Sequence, residues 1–265
     1  MQRLITAAVL AALLGGSAAE AQPVSVFAAG SLRGVVGDLG QQAQADLGLQ
    51  VKGDFGGSGA MRERIEKGEK PDLLMSADLA SPRKLQDQGR TVVPVIAFAR
   101  NRECIVSRHA AGVTPANLVD KLLDKSVRVK TSTPIADPSG DYAWAIFDKI
   151  DAQRPGAGKT LKDKAQALMD ATAPPSAPGQ SALAALFAAG KIDLTITYCS
   201  GALDKELPGL ASFPVPDAFD PHPVYGVAVL SARPEAMRLA LYLLSDRGQA
   251  IVAKNGLVPL LGPAR

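Results

Sequence analysis

From residue 22 onward, short apolar runs alternate with stretches in which apolar residues recur every three or four positions. The runs are typical of buried strands and the periodic stretches of amphipathic helices. In one such stretch Met61 and Ile65 share a face, while the charged residues beside them face water. Up to residue 88 the pattern predicts strands at 24–28, 49–55 and 72–76, and helices at 32–45, 59–67 and 82–88. This β-α-β-α-β order predicts parallel strands with helices on both faces of the sheet.

The alternation then breaks, because the strand-like runs 92–99 and 104–107 follow each other without a helix between them. We interpret the break as a crossover into a second domain, and the proline-rich segment 213–223 as the return connection. The later elements are predicted helices at 117–123, 140–150, 161–171, 180–189, 234–245 and 246–255, and predicted strands at 127–130, 192–198 and 224–230. The expected fold is α/β, with two α/β domains joined by two crossovers. Domain I comprises residues 22–96 plus 221–265, and domain II comprises residues 97–220.

The first 21 residues have the pattern of a cleavable signal peptide. A short basic start precedes the apolar residues 4–14, and Ala19-Glu20-Ala21 is an A-x-A cleavage site. We therefore expect export to the periplasm as a soluble, monomeric protein that begins at Gln22. The net charge is +3 and the charges are scattered, so nucleic acid is not an expected partner.

The two cysteines, Cys104 and Cys199, both lie in strand-like runs. In an oxidising compartment they form either a disulfide or two buried thiols, and the sequence leaves both alternatives open. A metal-cation site is not expected, because His109 and His222 are the only histidines and neither has ligand-like spacing to a cysteine.

Two glycine-flanked serines carry the main chemical signal of the first domain. Ser31 follows Gly30 after the first predicted strand, and Ser58 lies between Gly57 and Gly59 after the second. Each loop leads into a predicted helix, where unpaired backbone N–H groups and the positive end of the helix dipole can hold an anion. The alternative is that both serines are ordinary helix N-caps.

Two loops of the second domain share this design. Ser139 and Gln180 lie at the starts of predicted helices, and Tyr198, at the end of a strand, adds a phenolic O–H. Ligands of open α/β sheets bind outside the carboxyl ends of the strands, so a cleft between the domains would collect these donors from both walls. Neutral donors of this kind suit a small oxyanion. The alternatives are that Ser139 is a cap and that Tyr198 belongs to the core.

Catalysis by a serine nucleophile is the alternative from another class of protein. The segment around Ser58 is similar to a nucleophile elbow, but Ala60 stands where the second glycine of that motif is needed. A triad would also need His109 or His222, and neither is placed in a loop that leads to the cleft. We therefore expect a binding protein rather than an enzyme.

The chain resembles the periplasmic molybdate-binding proteins of ABC importers, which belong to the type II solute-binding class. The resemblance is carried by segments over nearly all of the chain after residue 21, namely residues 27–32, 55–59, 71–77, 137–143, 242–251 and the strand that ends at Tyr198. It implies two domains that close on molybdate or tungstate, with no other cofactor, and delivery of the anion to a membrane permease.

By this resemblance Ser31 and Ser58 give hydroxyl and backbone donors, Tyr198 gives its hydroxyl, and the loops at Ser139 and Gln180 give backbone N–H groups. Gln180 stands where the family typically has a small apolar residue. Another oxyanion or a small organic acid therefore stays open as the ligand, and so does a sensory role instead of import.

Overall fold

The computed structural model describes residues 22–169, 171–175, 180–201 and 207–260. The predicted signal peptide, residues 1–21, lies outside the described residues, as do residues 176–179 of the loop before Gln180.

The larger part of the structure is built on a six-stranded sheet. Its strand order is β10-β4-β9-β3-β1-β2, with β1 parallel to β2 and β3, and with β9 antiparallel to β3 and β4. The strands are β1 (Val24–Ala29), β2 (Val51–Gly56), β3 (Leu73–Ser76), β4 (Ile96–Arg100), β9 (Val224–Val229) and β10 (Val258–Pro259). The helices of this part are α1 (Arg33–Leu47), α2 (Ser58–Glu66), α3 (Ala80–Asp87), α8 (Pro234–Leu244) and α9 (Asp246–Lys254). Every residue of β3 is buried, as expected for a strand with helices on both faces.

The smaller part is built on a four-stranded sheet with the order β6-β7-β5-β8. Its strands are β5 (Glu103–Arg108), β6 (Val129–Lys130), β7 (Leu194–Tyr198) and β8 (Leu210–Pro214). Its helices are α4 (Leu118–Leu123), α5 (Pro138–Gln153), α6 (Ala157–Gln166) and α7 (Ala182–Ala188). A disulfide joins Cys104 on β5 to Cys199 just after β7, which decides between the two alternatives that the sequence left open.

The chain passes from one sheet to the other at two places. It leaves the larger sheet after Arg100 and enters the smaller one at Glu103, and it returns between Pro214 and Val224. The two connections are tied together, because the N–H of Asn101 donates to the carbonyl of Pro223 at 2.9 Å. The predicted limits 22–96, 97–220 and 221–265 stay a prediction, and we propose to move the first boundary to residues 101–102 because β4 belongs to the larger sheet.

Two features of the smaller part differ from the sequence pattern. β8 was not predicted, because it is a short edge strand that ends in Pro214, where proline is tolerated since no ladder donor is needed. Helix α6 begins at Ala157 rather than at 161, directly after Gly156, whose φ of 87° is the left-handed conformation that glycine adopts readily.

Candidate anion-binding cleft

A cleft of about 570 Å³ lies between the two sheets, at the carboxyl ends of β1, β2 and β7. Residues from both parts line it, which is the placement expected for a ligand site in an open α/β fold. The larger part contributes Ala29, Gly30, Ser31, Arg33, Gly34, Gly56, Gly57 and Ala77, and the smaller part contributes Ser132, Asp137, Ser139, Thr197, Tyr198, Ser200 and Gly201.

Ser31 lies in the short 3-10 turn Gly30–Leu32 and is not a helix cap. Its Oγ is 3.1 Å from the hydroxyl of Tyr225, and that hydroxyl accepts from Nδ2 of Asn101 at 2.9 Å. Because Asn101 donates to Tyr225, the phenolic proton of Tyr225 can be directed to Ser31. The Ser31 hydroxyl then has its own proton to donate into the cleft.

Ser58 is fully buried as the first residue of α2, and its Oγ accepts from the N–H of Ala77 at 3.0 Å. The helix begins after Gly57, and no side-chain cap bond is made there, so Ser58 is not an N-cap either. Its hydroxyl joins the start of α2 to the end of β3, and Gly57 and Ala77 on either side of this bond line the cleft. A hydroxyl that accepts one bond still has a proton to donate.

Ser139 offers a ligand its side chain rather than its backbone N–H. Asp137 caps α5 and accepts from the N–H of Ser139 at 3.1 Å, so this N–H, which the resemblance assigns to the ligand, is already taken. The Oγ of Ser139 is buried and has no hydrogen-bond partner within the described part of the chain. Ser139 is therefore a cleft residue through its hydroxyl.

Tyr198 ends β7 and is buried, and its hydroxyl also has no partner among the residues that the structure describes. Its ring makes edge contacts with Tyr142 and Tyr225, with centroids 6.3 Å and 5.6 Å apart. Burial raises the pKa of the Tyr198 phenol well above its usual value, and the neighbouring Tyr225 and Glu103 act in the same direction. The hydroxyl thus keeps its proton and is a hydrogen-bond donor.

Gln180 does not line this cleft. It stands just before Ala182 and Leu183 of α7, which line a neighbouring cavity of about 460 Å³. The N-cap of α7 is Ser181, whose Oγ accepts from the N–H of Ala184 at 3.2 Å. The cleft and the neighbouring cavity share four lining residues, Gly57, Ser132, Asp137 and Thr197.

Sequence reasoning missed two residues with charged groups at the cleft. Arg33 lines it, with its guanidinium carbon 4.3 Å from the centre of the Phe55 ring. Asp137 lines the opposite wall, and burial raises the pKa of its carboxyl, although hydrogen bonds from Ser139 and Ser132 act in the opposite direction. The position of Arg33, only two residues after Ser31, was the signal that could have identified it as a cleft residue.

Glu103 lies behind Tyr198, directly opposite it in the register of β5 and β7. The side chain is fully buried, and neither carboxyl oxygen has a partner within the described residues. Burial raises the pKa of Glu103 well above its usual range, helped by the carboxyl groups of Asp220 and Asp137. The raised pKa favours the protonated form of this carboxyl, and nothing in the sequence pattern distinguished Glu103.

The two parts of the molecule touch around the cleft. The N–H of Ala60 in α2 donates to the carbonyl of Ala136 at 3.2 Å, and the hydroxyl of Tyr142 donates to the carbonyl of Ala77 at 3.2 Å. At Gly59 a Cβ atom would lie 2.9 Å from the carbonyl carbon of Ile135 and closer still to its oxygen. The loop before α5 can approach α2 this closely only because glycine has no side chain.

Other chemistry has little support in the described residues. His109 and His222 line neither cavity. Within the described ranges no group of three or more His, Cys, Asp or Glu side chains is arranged to hold a metal ion. No helix in this part of the chain has the length and apolar character needed to cross a membrane.

Comparison with known proteins gives the family. Residues 24–258 match the bacterial extracellular solute-binding proteins. The chain is 34% identical over 240 residues to the uncharacterized protein PM1146 of Pasteurella multocida (strain Pm70), which covers 88% of this chain and 98% of that one. It is 28% identical over 250 residues to the molybdate-binding protein ModA of Escherichia coli (strain K12), with 89% and 88% covered. It is also similar in structure to the sulfate-binding protein SubI of Mycobacterium tuberculosis H37Rv, with a TM-score of 0.70, 16% identity, and 90% and 87% covered.

The two sheets, the two crossovers and the cleft between them define a type II periplasmic binding protein fold. The chain belongs to the family of bacterial extracellular solute-binding proteins. It is thus a solute-binding protein of the type that serves ABC importers, and not an enzyme. The predicted fold class and the resemblance to periplasmic molybdate-binding proteins are both confirmed.

Proposed function

We propose that this protein is a periplasmic binding protein that captures a tetrahedral oxyanion, molybdate or tungstate, and delivers it to the membrane permease of an ABC importer. In this proposal residues 1–21 are a signal peptide that is removed on export, and the protein acts as a monomer. The binding groups are the hydroxyls of Ser31, Ser58, Ser139 and Tyr198, and Gln180 contributes from the side of the neighbouring cavity.

One observation carries the proposal. Ser139 and Tyr198 line the cleft, and their hydroxyls are buried and have no partner in the described part of the chain. Leaving a buried polar group without a hydrogen bond costs about 1–3 kcal/mol, so such groups call for an explanation. An anion that accepts from both hydroxyls would remove this cost. Together with Ser31 from the opposite wall, they form a set of neutral donors for an oxyanion.

The relatives support the choice of ligand class. The similar protein of Escherichia coli is named as molybdate-binding, and the similar structure from Mycobacterium tuberculosis as sulfate-binding. Both anions are tetrahedral, doubly charged and differ in size. Selection between them would therefore depend on the dimensions of the closed cleft rather than on charge.

A thermal-shift titration with molybdate, tungstate, sulfate and phosphate tests the proposal. A ligand that binds only the folded state stabilises it by about 2.7 kcal/mol at a hundredfold excess over Kd, so molybdate or tungstate should raise the unfolding temperature most. If none of the four anions raises it, the proposal is wrong.

The variant Tyr198→Phe tests the site. It removes a hydroxyl that has no partner in the described structure, so the stability of the free protein should not fall. The lost hydrogen bond to a charged ligand is worth about 1.5–3 kcal/mol, which corresponds to a roughly 10- to 150-fold loss of affinity by calorimetry. Tyr242→Phe is the matched control, because that phenol is bonded to Asp46 on the surface. Equal affinity of Tyr198→Phe and the control would exclude Tyr198 from the site.

A further inference from the structure

A second cavity, which we name the side chamber, lies beside the cleft. It measures about 460 Å³, and the cleft itself about 570 Å³. Cavities of roughly 300–1,000 Å³ hold organic ligands much larger than an anion of five atoms. Because the two spaces share Gly57, Ser132, Asp137 and Thr197, a ligand in the cleft could extend directly into the side chamber.

The lining of the side chamber has a hydroxyl-rich side and an apolar side. The hydroxyl residues are Thr131, Ser132, Thr133, Thr195 and Thr197, and the apolar ones include Met169, Ala171, Ala173, Ala182, Leu183 and Leu186. Thr131 is 1% exposed, and its Oγ1 has no hydrogen-bond partner within the described residues. A buried hydroxyl left without a partner beside a cavity indicates a polar group in a ligand.

Asp137 gives a second, independent indication. Asp137 lines both spaces. Asp137 is the N-cap of α5, but a carboxylate beside a bound dianion is repulsive, so this capping residue has an electrostatic cost in a site made only for a bare oxyanion. The carboxyl accepts from the N–H of Ser139 and from the hydroxyl of Ser132, and a carboxylate has room for further donors. A hydroxyl group of a ligand could donate a hydrogen bond to this carboxyl.

We propose that the site also accepts a tetrahedral oxyanion that carries one short, hydroxylated organic substituent, as in a phosphate monoester. The anionic head occupies the cleft, and the substituent occupies the side chamber between the hydroxyl groups around Thr131 and the apolar wall of α7. Asp137 accepts a hydrogen bond from a hydroxyl of the substituent. This inference rests on the proposed function, because it places the anionic head at the same donors.

Calorimetry with molybdate, inorganic phosphate and glycerol 3-phosphate as probes tests the inference. Glycerol 3-phosphate should bind about tenfold or more tightly than inorganic phosphate, which lacks the substituent. Ala182→Phe places a large side chain at the wall of the side chamber and should weaken glycerol 3-phosphate by about tenfold or more while leaving molybdate within about twofold. Ala188→Phe is the matched control, since Ala188 is exposed on the same helix and lines neither cavity.

A second variant keeps the test valid even if Ala182→Phe does not fold. Thr131→Val removes only the unpartnered hydroxyl and should weaken glycerol 3-phosphate but not molybdate. If molybdate binds while glycerol 3-phosphate is no tighter than phosphate, or if neither variant weakens it, the inference is overturned and the proposed function stands. If no probe binds, molybdate included, both are wrong.

Discussion

Gly59 offers a direct test of whether the contact between the two parts of the molecule belongs to ligand binding. An alanine Cβ at this position would lie 2.9 Å from the carbonyl carbon of Ile135, whereas favourable carbon–carbon contacts lie at about 3.5–4.0 Å. The loop before α5 would have to withdraw from α2. Gly59→Ala should therefore oppose the closed arrangement and lower the affinity for the anion.

The magnitude follows from two opposing effects. Overpacking of this kind costs about 1–3 kcal/mol, which is a roughly 5- to 150-fold loss of affinity if the contact forms only on closure. In the open form the same substitution replaces a helical glycine by alanine, which favours the helix by up to about 1 kcal/mol. The unfolding temperature of the free protein should thus stay constant or rise slightly while the affinity falls.

Calorimetry with molybdate gives the affinity, and small-angle X-ray scattering with and without the anion gives the compaction. Gly37→Ala is the control, because Gly37 lies in the middle of α1 and an added Cβ there would meet nothing within 4 Å. It should have the helix effect without the loss of affinity. Wild-type affinity and compaction in Gly59→Ala would refute the reasoning. A lowered unfolding temperature without ligand would also refute it, since the contact would then belong to the free protein.

Three further predictions concern the fold around the cleft. Because the pKa of Glu103 is raised, the unfolded chain loses this proton near pH 4.5 while the folded protein keeps it, so stability should fall as the pH rises above that value, by up to about 1.4 kcal/mol per pH unit until the raised pKa of the folded state is reached. Glu103→Gln should remove this component, and parallel wild-type and variant stabilities in denaturant between about pH 5 and 8 would contradict it. Replacing both Cys104 and Cys199 by alanine opens a 95-residue loop and should lower the free energy of unfolding by about 2–5 kcal/mol; a reductant should then destabilise only the wild type. Ser58→Ala leaves the N–H of Ala77 without its acceptor and should cost about 1–3 kcal/mol in urea unfolding, whereas a loss below about 0.5 kcal/mol would show that this bond is replaced.

The fold was largely predictable because its strands obey a simple rule. The central strands β1 and β3 are parallel and covered by helices, so their residues form nearly continuous buried runs that stand out in the sequence, whereas the edge strand β2 alternates in exposure. Edge strands have no such constraint. The alternating exposure along β8 and the two residues of β10 leave too weak a pattern to recognise.

The site was predictable only where local chemistry determines it. An aspartate followed by proline is a typical helix start, and the capture of the Ser139 N–H by Asp137 follows from that signal. The bonds that orient Ser31 could not be derived in this way. Tyr225 is 194 positions from Ser31, and Asn101 is 124 positions from Tyr225, so only the assembled sheet brings these groups together. The same holds for Glu103, which lies opposite Tyr198 only in the assembled register of β5 and β7.

The glycines beside Ser58 were correctly singled out in the sequence, but the structure gives a different physical reason for them. The sequence indicated that the glycine-flanked loop at Ser58 can hold an anion with its backbone N–H groups. In the structure the space that a Cβ would need at these positions is taken by the backbone of Ala136 and Ile135 from the opposite part of the molecule. Both uses require a residue without a side chain, so the sequence cannot separate them. The proposed anion site and the contact between the two parts of the molecule therefore lie at the same helix start. An anion bound there would be enclosed by the loop before α5, which can approach α2 only because residues 57 and 59 are glycines.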